Sequence, residues 1–130
     1  MDAAKTLDPA ALERLRKLGG DKFAGDMIAL FLSYGGQKVA EAEAAGQAGD
    51  LTGVARALHA LKSSAGNVGA VGVQQLAAHA EQAAQSALGD AVAADLAALA
   101  RAFADLRRPL EAEHARLQTR ALQGPAGGLG

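Results

Sequence analysis

The sequence predicts an all-α protein, an antiparallel up-and-down four-helix bundle with a short N-terminal helix across one end and a kinked C-terminal helix extension. Three observations carry that expectation. Apolar residues recur at steps of three and four along each long stretch of chain, the period of a helix buried on one face. Half of the 130 residues are hydrophobic but only 3% are aromatic, and the apolar share is mostly Ala and Leu, both strong helix formers. Gly19-Gly20, Gly49-Asp50 and Gly89-Asp90 fall between the periodic stretches, as stops for one helix and caps for the next.

The length suits one domain, whose core hides roughly two-thirds of the surface of the unfolded chain. Residues 1–7 read as a flexible lead-in, 8–122 as the bundle and 123–130 as a mobile Gly-rich tail. Asp8-Pro9 is an N-cap followed by a proline at the first helical position, where a missing N–H costs nothing. The helix it starts carries Leu12, Leu15 and Leu18 on one stripe and ends at Gly19-Gly20. It is too short to stand alone and must lie against the bundle.

A second helix from near Asp21 to about Ala48 has Phe23, Met27, Leu30, Phe31 and Tyr34 at helical spacing, which predicts a buried stripe. Gly35-Gly36 interrupts it, as a bend or as a place where another backbone comes close. The third helix, opened by Asp50, turns Leu51, Val54, Leu58, Leu61, Ala65 and Val68 inward, and Gly69 suits the left-handed conformation that follows a last turn. The fourth runs from about Val71 to Leu88 with Leu76, Ala77, Ala80, Ala83, Ala84 and Leu88 inward. The fifth keeps Leu96, Leu99, Phe103, Leu106 and Leu110 in step. Pro109 removes a backbone donor and should kink or break that helix, leaving 111–122 as a partly exposed extension.

Composition excludes several function classes. The net charge is -1, with basic residues dispersed among acidic ones, so there is no electrostatic footprint for nucleic acid. The absence of cysteine rules out a disulfide framework and thiolate metal sites, and fits a cytoplasmic protein. No apolar run approaches the roughly 18 residues needed to cross a bilayer, and Met1-Asp2-Ala3-Ala4-Lys5 lacks the pattern of a secretory signal. His79 and His114 sit with no second histidine or carboxylate at metal-ligand spacing, which leaves them as surface or boundary residues.

One stretch combines reactive, cationic and very small residues: Leu58-His59-Ala60-Leu61-Lys62-Ser63-Ser64-Ala65-Gly66-Asn67-Val68-Gly69-Ala70. At helical spacing His59, Lys62, Ser63 and Gly66 share a face, away from Leu58, Leu61 and Ala65. The imidazole therefore points outward. A neutral imidazole is a competent nucleophile, an ammonium one turn away can offset negative charge beside it, and a glycine a further turn along leaves the face unobstructed. Gly66, Gly69 and Gly72 do not make a nucleotide loop, because no strand precedes them and no Lys-Ser/Thr ending follows.

On these residues the chain resembles the histidine-containing phosphotransfer (HPt) domains of bacterial multistep two-component phosphorelays. His59, Leu61, Lys62, the small Ser63, Ser64 and Ala65, then Gly66 and Gly69, follow the family's pattern, and Glu81 stands where members carry an acidic or amide residue. Ser63 departs from a frequent glycine, and Ala77 and Ala80 replace larger side chains. The resemblance implies a phosphorelay intermediate with His59 as phosphoacceptor and Lys62 stabilising phosphoryl charge. Ser63, Gly66 and Glu81 support it and Gly69 serves as the structural turn. Glu81 either receives the second ring N–H or positions a water. The partners implied are receiver domains of a hybrid histidine kinase and of a response regulator, with Mg2+ held by the receiver. The chain itself is expected to bind no cofactor or metal, to act as a monomeric carrier without kinase activity, and to contact neither nucleic acid nor membrane. The alternative is a helical docking module that regulates a kinase or enzyme by binding alone.

Overall fold

The computed structural model describes residues 7–123. Four helices account for nearly all of it: α1 (Pro9–Gln47), α2 (Leu51–Asn67), α3 (Val71–Gln85) and α4 (Gly89–Gln123). Each packs on its chain neighbour and α4 closes back on α1, an antiparallel bundle around one apolar core. Of the expected tail, 123–130, Gln123 is the last residue of α4, and 124–130 together with all but Leu7 of the lead-in lie outside the described residues.

α1 begins as its sequence dictates. The Asp8 carboxylate accepts from the N–H of Ala10 at 3.0 Å, and Pro9 follows as the first helical residue. At Gly20 the backbone leaves helical geometry, with φ 89 and ψ -178, so the two predicted helices meet end to end across a sharp break. The first piece, 9–19, lies across the α2–α3 turn. Asp8 N–H donates to the Gly69 carbonyl at 2.8 Å, Leu7 bridges Ala70, and Ala11, Leu12 and Leu15 are buried. Leu18 departs from the expected stripe and is 74% exposed, in the last turn before the chain swings away.

The longer piece of α1 corrects the sequence expectation most. Its inward face is Ala24, Ile28, Phe31, Leu32, Gly35, Val39 and Ala42, whereas Phe23, Leu30 and Tyr34 are at the surface and Met27 is half-buried. Of the predicted stripe only Phe31 is in the core. The helix continues through Gly35 because α4 comes close there: a β-carbon on Gly35 would meet the Phe103 ring at 2.8 Å. Phe31 and Phe103 pack with ring centroids 5.5 Å apart at 56°.

α2 is capped by Asp50, whose carboxylate accepts from Gly53 N–H at 2.9 Å, and its buried residues are Val54, Ala57, Leu58, Leu61 and Ala65, with Leu51 half-buried. It ends at Gly69, where φ is 75; Gly69 N–H donates to Gly66 and Ala70 N–H to Ala65, closing the last turn. A side chain on Gly69 would also strike the Asp8 carbonyl, at 2.6 Å from its β-carbon. The glycine thus turns the chain and admits the crossing segment together.

α3 stops at Gln85, earlier than expected. Ala87 takes the left-handed turn with φ 59, Leu88 N–H donates to the Ala83 carbonyl, and Leu88 ends 55% exposed. Leu76 is only half-buried. Asp90 falls in the first turn of α4, which starts at Gly89, so it is not the cap. α4 then runs unbroken through Pro109 to Gln123. The proline faces solvent, where the carbonyl it leaves unpaired can be hydrated, while Leu106, Leu110 and Leu117 stay buried on the other side. The helix is thus not broken at Pro109, and the extension 111–122 is partly exposed as expected, held by His114 and Leu117 against Gly25 of α1.

Candidate functional site

His59 is carried by the middle of α2, one residue past the fully buried Leu58, so the helix turns its ring out of the core. Its side chain is 70% exposed. Across the seam with α3 stands Glu81, the one charged residue buried among those described, at 7% exposure. Glu81 Oε2 lies 3.1 Å from His59 Nδ1 and Oε1 accepts from Lys62 Nζ at 2.8 Å. One carboxylate thus grips both the histidine and the lysine that follows it by one turn.

Its ionisation follows from opposing effects. Burial pushes the Glu81 carboxyl up, but the hydrogen bonds from Lys62 and His59, together with their charges, outweigh burial and hold it below the ordinary glutamate range. An ionised carboxylate only accepts, so the ring presents Nδ1–H to Glu81 and keeps its lone pair on Nε2, the nitrogen directed at solvent. Such an arrangement can deliver a nucleophile of fixed tautomer on an open face.

The other predicted residues take varied places. Lys62, one-third exposed, is committed to Glu81. Ser63 is exposed and makes no side-chain hydrogen bond among the described residues. Gly66 follows Lys62 by one turn, but the space over it is filled from within the chain: the Gln74 carboxamide nitrogen is 2.7 Å from where a β-carbon would stand. Gly69 makes the turn described above. Sequence reasoning missed Gln74, although it sits seven residues before Glu81 and hence on the same face of α3.

The apolar row that the sequence placed in the core lies instead at the surface of α1. Phe23, Met27, Leu30 and Tyr34 continue, in steps of three and four, into Lys38, Glu41 and Ala45, which border a hollow shared with Arg56, Ala57 and Ala60 of α2. The row therefore lies along the α1–α2 seam, across the crest of α2 from Glu81. Lys38 Nζ sits 5.2 Å from the Tyr34 ring centroid.

Among the described residues no group of three or more acidic, His or Cys side chains is placed to hold a metal ion, and no helix is long and apolar enough to cross a membrane. A helical bundle presenting a histidine on a buried carboxylate has the form of the histidine phosphotransfer class. The Hpt domain family model matches residues 26–119, and the chain belongs to that family. Its fold is that of histidine-containing phosphotransfer protein B from Pseudomonas aeruginosa PAO1, with TM-score 0.80 and 24% identity over 85% of this chain and 95% of that one. A rice protein provisionally named as a histidine-containing phosphotransfer protein superposes with TM-score 0.77 and 23% identity, over 87% and 82% of the two chains. No curated protein matches the sequence.

Proposed function

We propose that the protein is a phosphorelay intermediate that carries a phosphoryl group on Nε2 of His59 between aspartate-phosphorylated receiver domains, one in a hybrid sensor kinase and one in a response regulator. The observation that supports this most is the grip of Glu81 on both His59 and Lys62, since it sets the tautomer and keeps an ammonium within one turn of the reacting nitrogen. In the forward step Nε2 attacks phosphorus, the P–O bond to the donor aspartate breaks, and the aspartate leaves as carboxylate. The ring proton stays on Nδ1 against Glu81, so the positive charge of the phosphorylated ring is balanced. Lys62 exchanges Glu81 for a phosphoryl oxygen and offsets the incoming charge. The next receiver reverses these steps. Mg2+ belongs to the receiver, and this chain acts as carrier without a nucleotide site of its own.

The receiver docks over the crest of α2, with the apolar row of α1 as the greasy half of the footprint and His59 at the other edge. A panel of phosphorylated receivers offered to wild type and to His59→Gln tests the reading. Acid-labile, base-stable label is expected on wild type alone. Undiminished label on the variant sinks the assignment, and tight receiver binding with no label on either protein supports the docking-only module.

A further inference from the structure

The seam between α3 and α4 holds a second histidine–carboxylate contact, similar to the first in distance and in exposure of the ring. His79 stands two residues before Glu81 on α3, and its Nδ1 lies 2.9 Å from Oδ2 of Asp95 on α4. The imidazole is 71% exposed and the Asp95 side chain 19%, against 70% and 9% for His59 and Glu81. Asp95 Oδ2 is sealed from solvent and has no aligned donor among the described residues. The His79 ring, at 2.9 Å, is the polar group at bonding distance. A buried carboxylate oxygen without a donor is costly, so the tautomer with hydrogen on Nδ1 is favoured. The lone pair is then on Nε2 of an exposed ring.

We propose that His79 is a second phosphoacceptor, loaded at Nε2 by donors of the phosphoramidate class. In that step Nε2 attacks phosphorus, the donor's P–N bond breaks, and ammonia departs with the bonding pair. The ring proton remains on Nδ1 and the Asp95 carboxylate balances the positive phosphorylated ring. Two features separate this site from His59. No ammonium stands one turn on, since Gln82 and Ala83 follow at three and four residues, so loading is slower. The α3–α4 seam is also not part of the face offered to a receiver, so the site is addressed by a small donor.

Any accessible histidine can react with such a donor, and the claim is therefore one of rate and of regiochemistry. His114, half-buried and without an ion pair among the described residues, is the internal comparator. The His59→Gln protein is incubated with potassium phosphoramidate, phosphoryl groups are counted by intact-mass spectrometry, and the imidazole isomer is assigned by NMR. The expected product is one acid-labile group on Nε2 of His79 before His114 is labelled. Adding Asp95→Asn, which can still fill the space, slows loading about tenfold, the usual loss when a ring-orienting partner is removed, and yields mixed Nδ1 and Nε2 isomers. Equal labelling of His114, no labelling of His79, or an unchanged rate and isomer in the Asp95→Asn protein each overturns the proposal. None of those outcomes touches the assignment of His59, which rests on receiver-dependent label in the wild type.

Discussion

The two faces of α3 carry two histidine–carboxylate pairs that look alike at the level of contact and differ in what surrounds them. Toward α2, Glu81 is buried, bonded through both oxygens, and tied to a lysine one turn from the histidine. Toward α4, Asp95 is less buried, and among the described residues its one ion pair is with the ring of His79. The comparison teaches that a carboxylate on Nδ1 supplies tautomer and charge balance, whereas reactivity toward a dianionic phosphoryl group also needs a cation nearby. On the proposed roles, two imidazoles of nearly equal exposure should react at different rates because an ammonium follows only one of them by a turn.

The largest expected effect comes from weakening the better pair. Glu81→Gln keeps the shape and one acceptor but removes the charge that holds Lys62 and balances the phosphorylated ring. Receiver-dependent labelling of His59 should fall by about 10- to 100-fold, while Asp95→Asn should leave that rate within about twofold. Equal losses in the two variants would show that helix packing, and not the local carboxylate, governs transfer. A smaller effect separates docking from chemistry. Leu30→Ser, on the exposed row of α1, should raise the KM for phosphorylated receivers about tenfold, as loss of an apolar anchor at an interface does. Thermal stability should stay within about 0.5 kcal/mol for a surface change, and phosphoramidate loading of either histidine should not move. A drop in phosphoramidate loading would place Leu30 in the fold of the site instead of at its docking face. The poorer pair can also be upgraded. Gln82→Lys puts an ammonium three residues after His79, the spacing of Lys62 from His59, and phosphoramidate loading of His79 should rise about fivefold. No gain at low ionic strength would remove the cation from the explanation of the difference.

How much of this was legible in the sequence depends on which physical signal each residue carries. The helices, their order, the Asp50 cap and the Gly69 turn were readable because periodicity and capping are local. His59 faced outward for the same reason, since its neighbours Leu58 and Leu61 are unambiguous core residues. The inward face of α1 was misread because large apolar residues lie on both sides of the helix: Ile28, Phe31, Leu32 and Val39 share the buried face with Ala24, Gly35 and Ala42, while Phe23, Leu30 and Tyr34, equally well spaced, lie outside. Leu88 was placed inside because nothing in the sequence announces that Ala87 adopts a left-handed turn. Pro109 was read as a kink or a break, and the break does not occur because the proline faces water while Leu106 and Leu110 stay packed on the other side, an orientation only the fold decides. Glu81 was a candidate by resemblance, with its role open. Its contact with His59 and Lys62 depends on the register between α2 and α3, a tertiary quantity that no local pattern encodes.

The smallest expected effect is on stability, and it follows from the same difference. Because the folded Glu81 carboxyl titrates below its ordinary value, which is near 4.3 in an unfolded chain, its bonds to Lys62 and His59 favour the folded state when it is ionised. That contribution is fully present above the unfolded value and is lost as pH falls through the folded one. Lys62 and His59 are partly exposed, so solvent screens their side of the interaction and the contribution is modest. Urea unfolding of wild type and Glu81→Gln between pH 7 and pH 3 reads it out. The gap between the two midpoints should be constant at neutral pH and narrow below about pH 4, because the amide has no proton to gain. Parallel curves down to pH 3 would mean that the carboxylate adds nothing to folding, leaving the tautomer and charge of His59 as its whole purpose.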